Sequence, residues 1–550
     1  VNGVGFAENI TGYKIMLDRF ALDADKENQT ILDLISLMSL KNEPFIDELP
    51  IKLVSDNQFE FIDGKEKEIK ELKGKNRLNL NSYSTANECM EKLAQKYDCG
   101  NFDSKTRRDI ISVKYNMEVN GYYDSMASSY TFADDISPEL LAIVSEQFQD
   151  NPGVRIGLSA KRQPVNSNLA PHIIGSVGKI SEEQYERLKE KGYSHEDVVG
   201  KSGIEAAMEE YLRGVAGEKK VEVARDGAVL HTPNAKEAKP GNTVFLTIDS
   251  RLQKVANESL AKAIQSSGQP DCVAGGVVAL SVKDFSVLAA ATYPSYDLAK
   301  LTEPGYYSQL ANDKANPLFN RAFQGAFAPG SIFKPLVACG ALEEGVLTTE
   351  DKIKCVGIYH YPGHNFTTKC LGVHGNADLN YAMAKSCNVY FSEAGRRLGI
   401  ENMNLYAKRF GLGVKTGIEL TETTGILAGP EYSRSIGSRW SNLVTIKAAI
   451  GQSDNQFSPL QLATYVATIA NGGNRYRPHL IRKITDYRRE NIVMENNPDS
   501  PELVETAGVS EEHLNMVKTA MRQVVLSGTA TNFNGYMVPV AEKTGTAQNS

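Results

Sequence analysis

A serine and a lysine three residues apart are the first sign of chemistry in this chain. Ser331 and Lys334 follow Pro329-Gly330, which is typical of a helix start, so the serine is predicted in a first helical turn with free backbone N–H groups. Residues at i and i+3 share a helix face, so the amine can reach the hydroxyl. A serine becomes nucleophilic when a base takes its proton, and lysine serves only if its pKa falls from about 10.4 toward 7–8. Alone the pair is a weak signal, because this spacing also occurs by chance on surface helices.

Two later motifs supply the partners that such a site needs. Ser386-Cys387-Asn388 brings a second hydroxyl and an amide into one turn, and Lys543-Thr544-Gly545-Thr546 follows a strand-like segment from Tyr536. The glycine permits close approach of another backbone, and the lysine supplies a fixed positive charge. The first residues of the three motifs are 55 and 157 positions apart. Their order and spacing resemble the superfamily of penicillin-binding proteins and serine β-lactamases.

The resemblance extends beyond the motifs, back to about residue 130. Four further segments resemble the pedestal of class B penicillin-binding proteins and its link to the transpeptidase domain: residues 170–181, 199–205, 212–214 and 241–249. No glycosyltransferase motif is visible in the first 240 residues, which argues against class A. The region of about residues 25–135 is more similar to the elongation type than to the division type.

This resemblance implies a peptidoglycan D,D-transpeptidase that acts through an acyl-enzyme and is inhibited covalently by β-lactams. Ser331 is then the nucleophile that attacks the penultimate D-alanine of a stem peptide and releases the terminal D-alanine. Lys334 takes the serine proton, Ser386 relays it to the leaving amine, and Asn388 holds Lys334 and the side-chain amide of the donor. No cofactor is expected for catalysis.

The third motif is implied to hold the substrate. Lys543 lowers the pKa of Lys334 by repulsion between like charges. Together with Thr544 and Thr546 it binds the substrate carboxylate, and Gly545 belongs to the same substrate-binding segment. The backbone N–H groups of the nucleophilic serine and of Thr546 form the oxyanion hole.

Cysteine and histidine are concentrated between residues 355 and 387, which indicates a metal site. Three of the seven cysteines and three of the eight histidines lie there. Zinc prefers four tetrahedral sulfur, nitrogen or carboxylate ligands in a structural site. Elongation-type relatives that bind zinc imply Asp351, His374 and Cys387 as ligands, with Cys370 in place of a second aspartate. The same stretch holds three reserve candidates, Cys355, His360 and His364. The alternative is free thiols or a disulfide.

Composition excludes several other classes of protein. A chain of 550 residues is too long for a single hydrophobic core, so more than one domain is expected. A composition of 41% hydrophobic and 23% charged residues argues against disorder of the chain. The net charge of −7 and the scattered basic residues predict no nucleic-acid binding. Seven cysteines in a long chain argue against a disulfide scaffold, and a bond between Cys89 and Cys99 stays open.

Changes in texture along the chain predict a multidomain α+β protein. Residues 1–242 are predicted as an elongated N-terminal pedestal, or dimerisation-like domain, with a lobe inserted at about residues 25–135. After the turn signal at residues 240–242, strands, a helical block and strand-like residues near Val538 predict a transpeptidase domain over residues 243–550. Its antiparallel sheet is expected between helices, as in serine β-lactamases. Residues 543–550 would form an exposed edge strand, so a cut at the C-terminus is expected.

The chain begins without methionine and has no apolar run near 20 residues, which predicts an extracytoplasmic region that has lost a single N-terminal membrane anchor. The implied partners are stem peptides, β-lactams and a polytopic membrane glycan polymerase. Two other functions compete with transpeptidation. A β-lactam-sensing receptor usually lacks such a pedestal, and a β-lactamase needs a second base, for which no glutamate motif is evident.

Overall fold

A computed structural model describes residues 2–123, 129–194, 197–219, 222–223, 229–231 and 234–547, with no side-chain detail between residues 218 and 235. These residues form two compact units. One comprises Glu8–Gln163 and Glu218–Lys236, and the other comprises Val1–Ala7, Pro164–Gly217 and Glu237–Ser550. Residues 164–217 thus belong to the same unit as the C-terminal half, whereas the sequence analysis groups them with the pedestal. The domain boundary at residue 242 stays a prediction.

Helices and strands alternate irregularly along the chain. The elements up to residue 236 are β1 (Ala7–Asp18), α1 (Glu27–Lys41), β2 (Ile51–Ser55), β3 (Gln58–Phe61), α2 (Glu66–Lys73), α3 (Ala86–Lys96), α4 (Ser104–Val119), β4 (Ser129–Ala133), α5 (Pro138–Gln147), β5 (Val154–Pro164), α6 (Pro171–Ile174), β6 (Val177–Lys179), α7 (Glu182–Leu188), β7 (Val198–Gly200), α8 (Gly203–Ala207), α9 (Glu209–Leu212), β8 (Glu218–Lys219), β9 (Glu222–Val223), β10 (Val229–His231) and β11 (Asn234–Lys236). The elements that follow are β12 (Thr243–Leu246), α10 (Ser250–Gln265), β13 (Gly275–Leu280), β14 (Val287–Tyr293), α11 (Tyr306–Asn312), α12 (Lys334–Glu343), β15 (Ile353–Cys355), β16 (Ile358–His360), β17 (Thr367–Lys369), β18 (Gly375–Ala377), α13 (Leu379–Ala384), α14 (Asn388–Leu398), α15 (Ile400–Arg409), α16 (Pro430–Ser435), α17 (Asn442–Ala449), α18 (Pro459–Ala470), β19 (Asn474–Tyr476), β20 (Ile481–Thr485), β21 (Ile492–Glu495), β22 (Leu503–Thr506) and α19 (Glu511–Ser527).

The unit of residues 8–163 and 218–236 has its own hydrophobic core, to which α1, α3 and α4 contribute most of their apolar residues. Its main sheet has the strand order β4-β1-β5. Helix α3 begins with a capping box between Thr85 and Glu88. Cys89 and Cys99 are both buried free thiols, so the open question of a bond between them is answered in favour of free cysteines.

The second unit contains the elements that the sequence predicts after residue 242. The sheet β12-β20-β21 and the antiparallel hairpin β13–β14 are present. Asp249 accepts the backbone N–H groups of residues 251 and 252 and so caps α10. Ser458 and Gln461 form the capping box that begins α18. The mixed α+β fold is therefore confirmed.

Helix α12 lies at the centre of this unit. Its residues from Lys334 to Leu342 are buried on every face, so the helix is enclosed by neighbours, as an all-round buried helix must be. Leu336 and Cys339 have no exposed surface. Residues of α13, α14, α15, α17 and α19 belong to the same core. The first motif is therefore mounted on a helix that its neighbours enclose on every face.

The strand predicted near Val538 is wrong. Within the described residues after β22, no strand is formed, and the side chains of Tyr536, Met537 and Val538 are exposed. A strand needs the N–H and C=O groups of a neighbouring strand, whereas here the Glu542 N–H donates to the Met521 carbonyl of α19, at 3.3 Å. The predicted edge strand is likewise absent at residues 543–547, and residues 548–550 lie outside the described part.

In the part of the chain that the structure describes, no helix combines the length and apolar character that a bilayer crossing requires.

Candidate functional site

Ser331 lies in a short 3-10 turn, Gly330–Phe333, that runs directly into α12. Its side chain is partly exposed, whereas Lys334, one turn later, has no exposed surface. The predicted nucleophile is thus open to a ligand while its predicted base is enclosed. No hydrogen bond joins the Ser331 hydroxyl to Lys334 among the described residues; the lysine is bonded instead to the second motif.

The Lys334 ammonium nitrogen is held by three oxygen acceptors. It donates to the carbonyl oxygen of Ser386 at 2.8 Å, to the Ser386 hydroxyl at 3.1 Å and to Oδ1 of Asn388 at 2.7 Å. Burial, followed by the charge of Lys543, lowers the pKa of Lys334 to about 7. A substantial fraction of this amine is therefore neutral near pH 7, which is the state that a general base requires.

Ser386 lies at a sharp break between α13 and α14. Its φ is 52°, a left-handed conformation that non-glycine residues rarely adopt. The Cys387 N–H donates to the Ala382 carbonyl at 2.8 Å, and α14 begins at Asn388. This geometry turns the Ser386 carbonyl and hydroxyl toward Lys334, which the spacing Ser-x-Asn alone does not reveal.

Lys543 reaches the same hydroxyl from the other side. Its Nζ donates to the Ser386 hydroxyl at 3.1 Å and to the Thr544 carbonyl at 2.8 Å. Burial lowers the pKa of Lys543 to about 8. The Ser386 hydroxyl thus lies between two amines, with Lys334 as the more readily deprotonated of the pair.

The third motif also packs against the turn that carries Ser331. A Cβ on Gly330, whose φ is 54°, would lie 2.7 Å from the Thr546 carbonyl oxygen, and one on Gly545 would lie 2.9 Å from the Pro329 carbonyl oxygen. On the opposite side, Gly451 would place a Cβ 1.8 Å from the Gly330 carbonyl oxygen. These contacts are backbone on backbone, so only glycine allows them.

The structure therefore brings together all three sequence motifs. Gly451 is a contributor to this packing that the analysis of chemical groups missed, because it carries no side chain. Its φ is 75°, and the sequence signal that could have identified it is a glycine placed two residues after the end of a helix, here α17.

Four side chains that could hold a metal ion meet beside the second motif. Their ligand atoms all lie within 4.8 Å of one another, and the residues are Cys355, Cys370, His374 and Cys387. The Nδ1 atom of His374 is 3.5 Å from the Cys355 sulfur and 3.4 Å from the Cys370 sulfur, and the sulfurs of Cys370 and Cys387 are 3.8 Å apart. A tetrahedral zinc ion with bonds of about 2.3 Å to sulfur and 2.0 Å to nitrogen needs about 3.8 Å between two sulfurs and about 3.5 Å between sulfur and nitrogen. The donor set and its spacing fit zinc.

Asp351 is not part of this cluster, which corrects the predicted ligand set. Its carboxylate accepts the N–H and the hydroxyl of Thr348, at 2.7 and 2.9 Å, and faces Arg397 at 3.7 Å. The reserve candidate Cys355 takes its place, because the pairing of β15 with β18 sets Cys355 opposite Gly375, next to His374. The two other reserve residues, His360 and His364, are exposed and lie outside the cluster.

The cluster is directly connected to the candidate active site. The backbone N–H of Asn388 donates to the Cys370 sulfur at 3.2 Å, and the Asn388 side-chain amide donates to the Lys369 carbonyl at 2.9 Å. The hydrogen bond between the sulfurs of Cys370 and Cys387 lowers the pKa of the Cys370 thiol and raises that of Cys387. Lys369 and Cys370 thus hold both the side chain and the backbone of Asn388.

Comparison with known families matches both halves of the chain. The family described as the penicillin binding protein transpeptidase domain matches residues 275–550, and the family described as the penicillin-binding protein dimerisation domain matches residues 1–246. Together they account for most of the sequence.

Individual relatives agree with these families. The peptidoglycan D,D-transpeptidase MrdA of Acinetobacter baumannii is 32% identical over 74% of this chain and 60% of that protein, so the chain spans about 60% of the length of this relative. A solved chain from a peptidoglycan synthase complex is 29% identical, with a TM-score of 0.62 over 79% of this chain and 75% of that chain. A penicillin-binding protein of Helicobacter pylori, solved in a complex with MreC, has the same fold, with a TM-score of 0.71 and 22% identity over 100% of this chain and 87% of that chain. The chain therefore belongs to the penicillin-binding protein family, in its class B, elongation-type group.

Proposed function

We propose that this chain is the extracytoplasmic part of a peptidoglycan D,D-transpeptidase that cross-links stem peptides through an acyl-enzyme on Ser331. The observation that carries the proposal is the enclosed Lys334 amine, which is bonded to Ser386 and Asn388 and has Lys543 on the far side of the same hydroxyl. A buried lysine beside another cation is a base near neutral pH, and this base stands one helical turn from a partly exposed serine.

The chemistry follows from the positions of these groups. The Ser331 oxygen attacks the carbonyl carbon of the penultimate D-alanine while Lys334 takes the hydroxyl proton. Ser386, hydrogen-bonded to Lys334 and Lys543, passes a proton to the nitrogen of the terminal D-alanine as its bond to carbon breaks. An amine of a second stem peptide then attacks the acyl carbon, gives its proton back along the same route and releases the serine. A β-lactam occupies the same site and remains at the acyl stage.

Substrate binding is assigned to the third motif. Lys543, Thr544 and Thr546 hold the carboxylate of the terminal D-alanine, and Gly545 lets the segment lie against the Ser331 turn. The backbone N–H groups of Ser331 and Thr546 form the oxyanion hole, where one donor typically contributes about 3 kcal/mol of transition-state stabilisation.

Labelling with a fluorescent penicillin tests the proposal. Ser331→Ala is expected to abolish covalent labelling, because it removes the attacking oxygen. Ser308→Ala, a change of an exposed serine in α11, is the matched control and should label like the wild type. Labelling that persists in Ser331→Ala would overturn the assignment. A cross-linking assay with donor and acceptor stem peptides then separates a transpeptidase from a receptor that acylates without turnover.

A structural zinc ion is the second part of the proposal. Cys355, Cys370, His374 and Cys387 would hold it, and a bound ion would close the loop beside the second motif without entering the reaction. Metal analysis of the purified protein is expected to find one zinc per chain, lost in Cys355→Ser and retained in Asp351→Asn. Cys272→Ser, a change outside the cluster, is the control. Zinc that is lost in Asp351→Asn and retained in Cys355→Ser would contradict this ligand set.

We further propose a single N-terminal membrane anchor and a polytopic membrane glycan polymerase as partner. The support is similarity to a chain solved within a peptidoglycan synthase complex. Co-purification of the anchored protein with such a polymerase, compared with the present chain alone, tests both.

A further inference from the structure

The turn that follows α19 contacts the third motif, although the turn itself belongs to none of the three motifs. α19 ends at Ser527, and after Gly528 the chain places Thr529 beside Thr544. The two threonine hydroxyl oxygens are 2.7 Å apart, a full hydrogen bond between side chains. Thr529 is exposed to solvent at this position.

The same turn is fixed to the chain just before Ser386. A Cβ on Gly528 would lie 2.3 Å from the Ala384 carbonyl oxygen, so the two backbones are in direct contact. The Lys385 ammonium group donates to the Ser527 carbonyl at 2.8 Å. Residues 527–529 therefore have a defined position relative to the second motif.

α19 also holds the chain that leads into the third motif. The Glu542 N–H donates to the Met521 carbonyl at 3.3 Å, and the Arg522 guanidinium donates to the Val540 carbonyl. One helix thus connects the second and third motifs, and Thr529 is the side chain at its end that reaches a substrate-binding residue.

We propose that Thr529 is a positioning residue for carboxylate binding, an inference that rests on the proposed transpeptidase function. A bound carboxylate accepts hydrogen bonds and donates none. With substrate present, the Thr529 hydroxyl donates to the Thr544 oxygen, and the Thr544 proton is directed to the carboxylate. The Lys543 ammonium group, 2.8 Å from the Thr544 carbonyl oxygen, supplies the charge at the same end. A chain of hydrogen bonds of this kind is polarised by the charge it faces, which strengthens each member.

Three variants separate this role from simple folding effects. Thr529→Val keeps the branched shape and removes the hydroxyl, whereas Thr529→Ser keeps the hydroxyl. Thr531→Val is the matched control, because Thr531 is an exposed threonine two residues away whose side chain has no hydrogen bond among the described residues. The probes are benzylpenicillin and its methyl ester, which lacks the charged carboxylate.

Second-order acylation rates for both probes measure the effect. Thr529→Val should lower the rate with benzylpenicillin about five- to tenfold, which corresponds to the loss of one hydrogen bond between neutral groups. The rate with the methyl ester should change less than twofold. The preference for the carboxylate, measured as the ratio of the benzylpenicillin rate to the methyl ester rate, should therefore fall. Thr529→Ser should restore the preference, and Thr531→Val should leave it unchanged.

Two failures remain distinguishable. Equal losses for both probes in Thr529→Val, or a preference identical to that of Thr531→Val, would overturn the role of Thr529 while leaving the acyl-enzyme intact. Labelling of Ser331→Ala would instead overturn the proposed function itself.

Discussion

Replacing Lys543 by methionine tests why Lys334 is a base. The substitution removes one positive charge at the far side of the Ser386 hydroxyl and keeps a side chain of similar length. Lys334 remains buried, so its pKa should rise but stay below that of a free lysine. The neutral fraction at a given pH then falls, and the acidic limb of the rate profile moves to higher pH.

The distances give the size of the shift. Each ammonium nitrogen is 3.1 Å from the Ser386 hydroxyl oxygen, so the two nitrogens are no more than about 6 Å apart. Two unit charges at about 6 Å repel by about 1.4–2.8 kcal/mol for an effective dielectric constant of about 40–20. This equals one to two pKa units. A rise of one unit from about 7 lowers the neutral fraction at pH 7 from about one half to about one tenth.

The assay is the second-order rate of acylation by a fluorescent penicillin between pH 6 and pH 10. The wild type should give a bell with limbs near pH 7 and pH 8, since Lys334 must be neutral and Lys543 charged. These limbs belong to the coupled pair of lysines. In Lys543→Met the maximal rate should fall, the acidic limb should move up by one to two pH units, and the basic limb should disappear.

Lys447→Met is the charge-matched control. This exposed lysine of α17 lies 5.4 Å from the centre of the Phe366 ring and makes no hydrogen bond to the second motif among the described residues. It should leave both limbs in place. An acidic limb in Lys543→Met that coincides with the wild-type limb would refute the reasoning, because burial alone would then account for the lowered pKa of Lys334.

Two further substitutions test the scaffold of the site. Gly451→Ala would place a Cβ 1.8 Å from the Gly330 carbonyl oxygen, so the Ser331 turn must move; acylation should fall at least tenfold while circular dichroism keeps its helical signal, and a normal rate would contradict the packing. Leu336→Ala removes a side chain with no exposed surface from α12, and chemical denaturation should show about 2–5 kcal/mol lower free energy of unfolding; a loss below about 1 kcal/mol would mean that the core around α12 readily collapses.

The three motifs can be recognised from the sequence alone, because each is defined by residue types and by short spacings. Ser331 and Lys334 are read correctly as neighbours on one helical segment, since the relation of i to i+3 is local. The cap of α10 by Asp249 and the start of α18 after Ser458 follow local rules of the same kind. Local rules therefore recover these helices and the residues of the three motifs, whose catalytic roles stay a prediction.

Contacts set by strand pairing are beyond such rules. Asp351 and Cys355 are equally plausible zinc ligands from their types, and only the register of β15 against β18 brings Cys355 to His374. The apolar alternation near Val538 predicts a strand, but a strand also needs a partner, and α19 binds this segment instead. The roles of Gly451 and Thr529 were not predicted, because they depend on contacts with residues that are distant in the sequence.

The strained backbone at Ser386 explains why so many separate elements converge there. A non-glycine residue with φ of 52° is unfavourable by about 1–3 kcal/mol unless its surroundings over-determine it. Here the restraints come from independent parts of the chain. The Cys387 N–H donates to a carbonyl oxygen of α13, and the Asn388 N–H donates to a sulfur of the thiol cluster. The Lys385 ammonium group donates to the carbonyl oxygen of the last residue of α19. Each restraint acts on a residue adjacent to Ser386 or one removed from it, and the lysines occupy its hydroxyl. The position of Ser386, the proposed proton relay, is thus determined by the packing around it. The thiol loop and the end of α19 therefore bear on the proposed chemistry although neither carries a reacting atom.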